Sequence, residues 1–373
     1  MSDTRMVDSF ADAGILTIAN FMEVTMDTGP IGILGTGSYV PTGIRTNEQV
    51  AAKAGVDAEW IAERTGIRCR HVAGPEQASS DLAAEAVRNA LEGAGLAPEA
   101  LGLLVLATST PDELGPSSAC RVQALLGAHN AVAFDVSAAC TGWLFGARVA
   151  HDWLRAGTGE RYAAVVGVEC YSRFLDEGDR ATASLFGDGA AAAVLGQVEE
   201  GCGFAPIVLG SDGRQAGDVL IPAGGSRAPS STDTVARGGH LIHMDGGRVR
   251  EFILDIFPKG AADALGRSVL SRDEVDLVIS HQPNPVLVRW ACEAAGLDVN
   301  RLVVVGDKVG NIGAGGLPYA LASAHRRGRL RHGDRILVVG FGAGLTWGST
   351  VLTWDGAARN GDRMEEKADA LGR

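Results

Sequence analysis

Between residues 31 and 354 the chain alternates short apolar runs with alanine-rich stretches. The runs 103–107, 163–168, 277–280, 302–305 and 336–339 contain no charged residue. A run apolar on both faces predicts a strand in a sheet covered on both faces. The stretches between them predict helices, as at 80–94 and 252–269. Strands and helices in this alternation indicate an α/β fold with helices over both faces of its sheets. The regular pattern begins at Ile31-Gly32-Ile33-Leu34-Gly35. Residues 1–29 read as an N-terminal extension without strand or helix periodicity, and Met26 offers an alternative start to Met1. The polar tail 355–373 is expected to be frayed or weakly helical.

The two halves of the chain, 30–207 and 208–354, repeat one order of elements. In the first, a helix leads to the strand 103–107 and then to Thr108-Ser109-Thr110-Pro111. A second helix and strand follow, and Ser137-Ala138-Ala139-Cys140-Thr141-Gly142 opens a long helix. In the second, a helix leads to 276–280 and His281-Gln282-Pro283-Asn284. A helix and the strand 302–305 follow, and Gly310-Asn311-Ile312-Gly313 opens another helix. Thr108 and Cys140 are 32 positions apart, and His281 and Asn311 are 30 apart. A duplication of this kind packs two similar sheets together. It places Cys140, His281 and Asn311 at strand ends and helix starts, where sites in α/β sheets gather.

Composition narrows the class. A chain of 373 residues, 46% hydrophobic and 21% charged, suits a globular enzyme with a large core. No apolar run approaches the ~18 residues a membrane span needs. Asp3, Asp8 and Asp12 occupy the place of a basic leader, so a cytoplasmic protein is expected. A net charge of −12 argues against nucleic-acid binding. The six cysteines are scattered without a CxxC pair, so neither a disulfide framework nor a metal site is expected.

Cys140 is the cysteine with a chemical context. A thiol at a helix N-terminus meets unpaired N–H groups and the positive end of the dipole, which favour thiolate. Most cysteines in apolar runs are core residues, an asparagine before a helix is usually a cap, and a histidine at a strand end often serves structure. At matched positions of a duplicated fold, Cys140, His281 and Asn311 together point to a nucleophile with two polar partners.

Seven motifs then carry a resemblance. They are Gly-Thr-Gly-Ser-Tyr-Val-Pro (35–41), Glu-Trp-Ile-Ala-Glu-Arg-Thr-Gly-Ile (59–67) and Asp-Val-Ser-Ala-Ala-Cys-Thr-Gly (135–142). Leu-Phe-Gly-Asp-Gly-Ala (185–190), His-Gln-Pro-Asn (281–284), Gly-Asn-Ile-Gly (310–313) and Gly-Phe-Gly-Ala-Gly-Leu-Thr-Trp-Gly (340–348) complete the set. From about Ile31 to Trp354 the chain resembles the ketoacyl-acyl-carrier-protein synthase III family of the thiolase superfamily. The resemblance implies an α/β thiolase fold, a duplicated five-layer αβαβα sandwich, in a homodimer. It implies that Cys140 takes an acyl group from a coenzyme A thioester, with no permanently bound cofactor. The backbone N–H groups of Cys140 and Ala343 would form the oxyanion hole, and His281 and Asn311 would bind the thioester oxygen of a malonyl extender. Trp60, Arg64, Arg180 and Asn284 would hold the coenzyme A and pantetheine, and an acyl carrier protein would be the partner.

The chain departs from the family pattern at four places. Gly115 stands where a bulky aromatic usually reaches across the dimer, which predicts a larger acyl pocket. Glu251 and Val286 replace the basic residues expected for carrier docking, with Arg248, Arg250 and Arg289 as substitutes. Ala343 replaces a common glycine but keeps the backbone donor. These departures predict a member of polyketide or related specialised biosynthesis. Acyl transfer to a small acceptor, thioester hydrolysis, a papain-like hydrolase, a degenerate subunit and a dinucleotide-dependent oxidoreductase are the competing readings.

Overall fold

A computed structural model describes residues 29–157 and 159–360. The sequence expectations for 1–28 and 361–373 lie outside the described residues. Two sheets dominate. The first runs Arg359–Asn360, Ile31–Tyr39, Asp188–Gln197, Ala163–Cys170, Leu103–Ala107 and Val132–Val136 in spatial order. The second runs Leu277–Ser280, Arg335–Gly342, Thr346–Thr353 and Gly203–Phe204, and Val208–Ser211 also pairs with Thr346–Thr353.

Alternation along the strands builds the layers. Leu103 and Val105 face the same cluster as Trp143 and Leu144 of the helix Gly142–Arg155 and Leu317 and Leu321 of the helix Gly316–Arg326. Ile279, Ile336 and Val338 reach that cluster from the second sheet. Leu104 and Leu106, one position out of phase, meet Leu82, Val87 and Leu91 of the helix Ser79–Ala94 on the outer face. Val278, Leu337 and Val339 likewise meet Ile253, Phe257 and Val288 of the helices Gly246–Arg267 and Pro285–Ala294. The result is the expected five-layer αβαβα sandwich, an α/β thiolase fold. Each fully buried leucine contributes about 1.5–3 kcal/mol to this packing.

The halves come into backbone contact at Gly167. A Cβ there would lie 2.9 Å from the Gly315 nitrogen and against the Ala314 carbonyl, so a side chain would hold the Asn311 turn away from the first sheet.

Two expectations are corrected. The run 302–305 is not a strand; Leu302 makes only an isolated bridge to Val278. The cause is Gln282, whose Oε1 accepts from the N–H groups of Val305 and Gly306 at 2.8 and 2.9 Å while its Nε2 donates to the Val303 carbonyl. A side chain has taken the hydrogen bonds that a strand ladder would need. The polar tail is ordered at its start, where Arg359–Asn360 adds a short parallel edge strand beside Gly35 and Thr36. One short strand crosses the sequence division of the halves, since Gly203–Phe204 belongs to the second sheet, and Arg359–Asn360, from the tail, joins the first. No helix among the described residues is long and apolar enough to cross a membrane.

Candidate active site

The strand Val132–Val136 delivers the chain to a tight 3-10 turn, Ala139–Thr141, which runs into the helix Gly142–Arg155. Ala139 has φ 47°, a left-handed conformation costly for alanine. The strain sits one residue before Cys140 and holds the cysteine out at the helix start. In the second half Asn311 precedes the turn Gly313–Gly315 and the helix Gly316–Arg326. His281 directly follows the strand Leu277–Ser280. All three line one cavity of about 790 Å³, together with the oxyanion-hole candidate Ala343.

The turns are tied to one another. Thr346 Oγ1 lies 3.1 Å from the Ala138 carbonyl and 3.0 Å from the Ala343 carbonyl. One hydroxyl thus bridges the nucleophile turn and the loop carrying the second oxyanion candidate. Glu169, fully buried, accepts from the Ser109 N–H at 3.1 Å and the Thr110 hydroxyl at 2.9 Å, and reaches the Ala314 N–H at 3.5 Å. This carboxyl joins the loop after the first repeat's strand to the Asn311 turn. Burial pushes it up to about 7.

Electrostatics assign the partners' roles. The Asn311 Oδ1 accepts the Gly313 N–H at 3.0 Å, which leaves the amide nitrogen as the free donor. The His281 Nδ1 is buried without a hydrogen-bond partner and faces Gly316, where a Cβ would stand 3.5 Å from it. Its ring packs edge-on against Phe341 at 5.4 Å. Burial pushes its pKa down to about 3, so the imidazole stays neutral at any working pH. Burial, with the Glu169 carboxylate adding to it, pushes the Cys140 thiol up to about 12. A half-buried neutral thiol beside two neutral donors suits a reaction in which charge develops on substrate.

Trp60, Arg64, Arg180 and Asn284 gather at the outer end of the same cavity. Arg180 stacks over Trp60 at 5.6 Å. Asn284 Nδ2 donates to the Arg64 carbonyl at 3.1 Å, and its Oδ1 caps the helix Pro285–Ala294 through the Leu287 N–H at 3.0 Å. Its amide is therefore already engaged in structure. Arg250 stacks over Trp290 at 5.7 Å on the rim. Arg248 is held by Asp218 and Asp245, Glu251 is exposed and Val286 lines the cavity. Gly115 does not line the cavity of its own chain; it lies on an outer loop beside Leu114, which is 85% exposed.

Several cavity residues escaped the sequence reading. Tyr171 and Phe186 stack edge-on at 4.8 Å beside Cys140, and Val219, Ile221, Ile242 and Met244 come from the excursion between the sheets. No periodicity marks them, because they lie in segments too short to show a period. The glycine run 340–348 forms an antiparallel hairpin, with Gly342 opposite Thr346. It does not open a helix, so it lacks the anion-binding N-terminus of a dinucleotide site.

The relatives of this chain agree with the geometry. Models of 3-oxoacyl-[acyl-carrier-protein] synthase III match residues 134–213, and of its C-terminal part residues 265–354. A beta-ketoacyl-[acyl-carrier-protein] synthase III of Desulfitobacterium hafniense is 45% identical over 324 residues, 87% of this chain and 98% of that one. The crystal structure of 3-oxoacyl-(acyl carrier protein) synthase III from Pseudomonas aeruginosa superposes with a TM-score of 0.80 at 37% identity, covering 87% of this chain and 98% of that one. The priming beta-ketosynthase of the R1128 polyketide pathway does so with a TM-score of 0.81 at 31% identity, covering 88% and 98%. This chain belongs to the 3-oxoacyl-[acyl-carrier-protein] synthase III family and is an acyltransferase.

Proposed function

We propose that the chain loads an acyl group from a coenzyme A thioester onto Cys140 and condenses it with a malonyl thioester on acyl carrier protein, in polyketide or related specialised biosynthesis. The observation that carries the reading is the convergence of Cys140, neutral His281 and the Asn311 amide donor on one cavity. Loading breaks the C–S bond to coenzyme A and forms one to Cys140; the proton lost by the thiol is taken up by the departing coenzyme A. Malonyl decarboxylation then releases CO₂ and places an enolate oxygen before His281 and Asn311. The enolate carbon attacks the acyl-cysteine carbonyl, a C–C bond forms, and the cysteine leaves as thiolate. Trp60, Arg64 and Arg180 suit the adenine and phosphates of coenzyme A by stacking and charge.

The specialised context is supported by the apolar wall of Phe186, Ile221, Ile242 and Met244, by Glu251 and Val286 on the carrier side, and by the likeness to the R1128 priming enzyme. Intact-mass spectrometry with a panel of acyl-CoAs tests the first half: a mass gain on Cys140 with acyl groups larger than acetyl is the expected result. Adding malonyl-loaded carrier should then yield a β-ketoacyl carrier. Release of free acid, or transfer without loss of CO₂, would instead mean hydrolysis or simple acyl transfer.

A homodimer is part of the same reading. Val132–Val136 is an edge strand of the first sheet, and Val132 and Leu125 beside it are 46% and 50% exposed. An uncovered apolar edge of this kind invites strand pairing. Light scattering should give twice the chain mass. Gly115→Phe in that dimer should shift acyl preference toward shorter chains, and an unchanged chain-length profile would sink the role of Gly115.

A further inference from the structure

One polar group in the reactive centre has no part in the mechanism above. Tyr171 opens the turn after the strand Ala163–Cys170 and is 5% exposed. It lines the cavity with Cys140 and Ser109, and its hydroxyl is close enough to both side chains to influence and be influenced by them. A Cβ on Gly313 would lie 2.6 Å from that hydroxyl, so the oxygen sits directly against the residue that orients Asn311. The ring is held edge-on by Phe186 at 4.8 Å. The surrounding cluster of Leu175, Phe186 and Ile242 is apolar. A hydroxyl in such a place is costly unless it finds partners, and the polar side chains it can turn to here are the nucleophile and Ser109.

We propose that Tyr171 is a catalytic residue that activates Cys140, its O–H donating a hydrogen bond to the thiolate sulfur as acyl loading begins. The proposal rests on Cys140 being the nucleophile of the reading above. Tyr171 keeps its own proton throughout. Burial, reinforced by the charges of Glu169 and Cys140, raises the phenol well above its usual value, so it is a donor and not a base. Glu169 is the other titratable group at this spot, and its charge opposes thiolate formation. His281, neutral and very weakly basic, is poorly suited to take the thiol proton. A donor meeting the sulfur therefore lowers the cost of generating thiolate in this largely apolar cavity. Once the sulfur is acylated it loses that charge, and the stabilisation ends with the step it serves.

Tyr171→Phe removes one oxygen and leaves the ring contact with Phe186. The test measures two rates on the full chain at pH 7.5: alkylation of Cys140 by iodoacetamide, followed on its peptide by mass spectrometry, and loading from an acyl-CoA. A hydrogen bond to a charged sulfur corresponds to about one pH unit in the thiol, so both rates should fall roughly tenfold together. The KM for acyl-CoA should stay unchanged, and raising the pH by about one unit should restore the native alkylation rate. Unchanged alkylation, or a loss confined to KM, would reduce Tyr171 to a wall of the pocket and overturn the proposal. Because alkylation needs no acyl donor, a tenfold fall there, in a chain that no acyl-CoA loads, would uphold Tyr171 while refuting the condensing reading.

Discussion

His281→Ala should still load Cys140 from acyl-CoA within a few-fold of the native rate, while condensation with malonyl carrier falls by roughly 10²- to 10³-fold. The split follows from the protonation state. The imidazole is neutral because burial holds its pKa at about 3. It therefore cannot serve as the base that opens loading, but its N–H can meet an enolate oxygen. With Nδ1 turned toward Gly316, Nε2 is the nitrogen available to substrate. Asn311 supplies the second donor from the opposite side of the same repeat's turn pair. Removing one preorganised donor leaves the developing negative charge half matched in a water-poor site, where each such bond counts for more than it does in water. A separate consequence is the pH profile. Because the folded pKa is depressed, the residue stays neutral above pH about 3, and condensation should show no limb near pH 6.5 that disappears in the variant. Stopped-flow loading and single-turnover CO₂ release measure the two halves separately. Equal losses in both halves would mean that His281 acts on Cys140 itself. The buried imidazole should also erode stability as pH falls from 6.5 toward 3, since in that window the unfolded chain binds a proton that the folded chain does not.

The fold was legible wherever an apolar run is buried on both faces of its sheet. Leu103–Ala107 and Leu277–Ser280 are such runs, and the sequence places both with the correct bounds. The run 302–305 has the same composition and failed. Its backbone groups are taken by Gln282, a tertiary side chain that periodicity cannot see. The strand Arg359–Asn360 is the converse case, polar residues held in a sheet by a partner distant in sequence. At the site, Cys140, His281 and Asn311 were legible because the duplication puts them at matched turns. Tyr171 and Glu169 were not, because each looks like an ordinary residue at the end of the run 163–170 until the second repeat is folded against it. The apolar wall from Val219 to Met244 was hidden for a related reason: the segment's regular structure is a two-residue antiparallel pair, Val219–Leu220 with His243–Met244, and the one-turn helix Thr232–Ala236, all too short to show a period.

Gly342→Ala should cut acyl loading by about 10²-fold, whereas Ala343→Gly, one residue along, should change it less than about threefold. The two positions differ in what their Cβ atoms meet. A Cβ on Gly342 would lie 2.9 Å from the Cys140 nitrogen, 3.0 Å from the Thr141 nitrogen and 3.1 Å from the Thr141 hydroxyl. Backbone nitrogens inside a strained turn cannot swing aside as a flexible side chain would. Either the strand Arg335–Gly342 retreats or the nucleophile turn is pushed off its helix start, and both move the Cys140 N–H from the place an oxyanion would occupy. Displacements approaching 1 Å at reacting groups cost about 10² in rate. Ala343 already carries a Cβ, and its contribution to the oxyanion hole would come from the backbone, which glycine retains. The neighbouring hydroxyl of Thr346, 3.0 Å from the Ala343 carbonyl, keeps that loop in place in either variant. Loading rates by rapid-quench mass spectrometry decide the matter. If Gly342→Ala loads within about threefold of native, the Cys140 amide is not the donor that receives the tetrahedral oxygen, and the oxyanion hole must be sought elsewhere on the cavity wall.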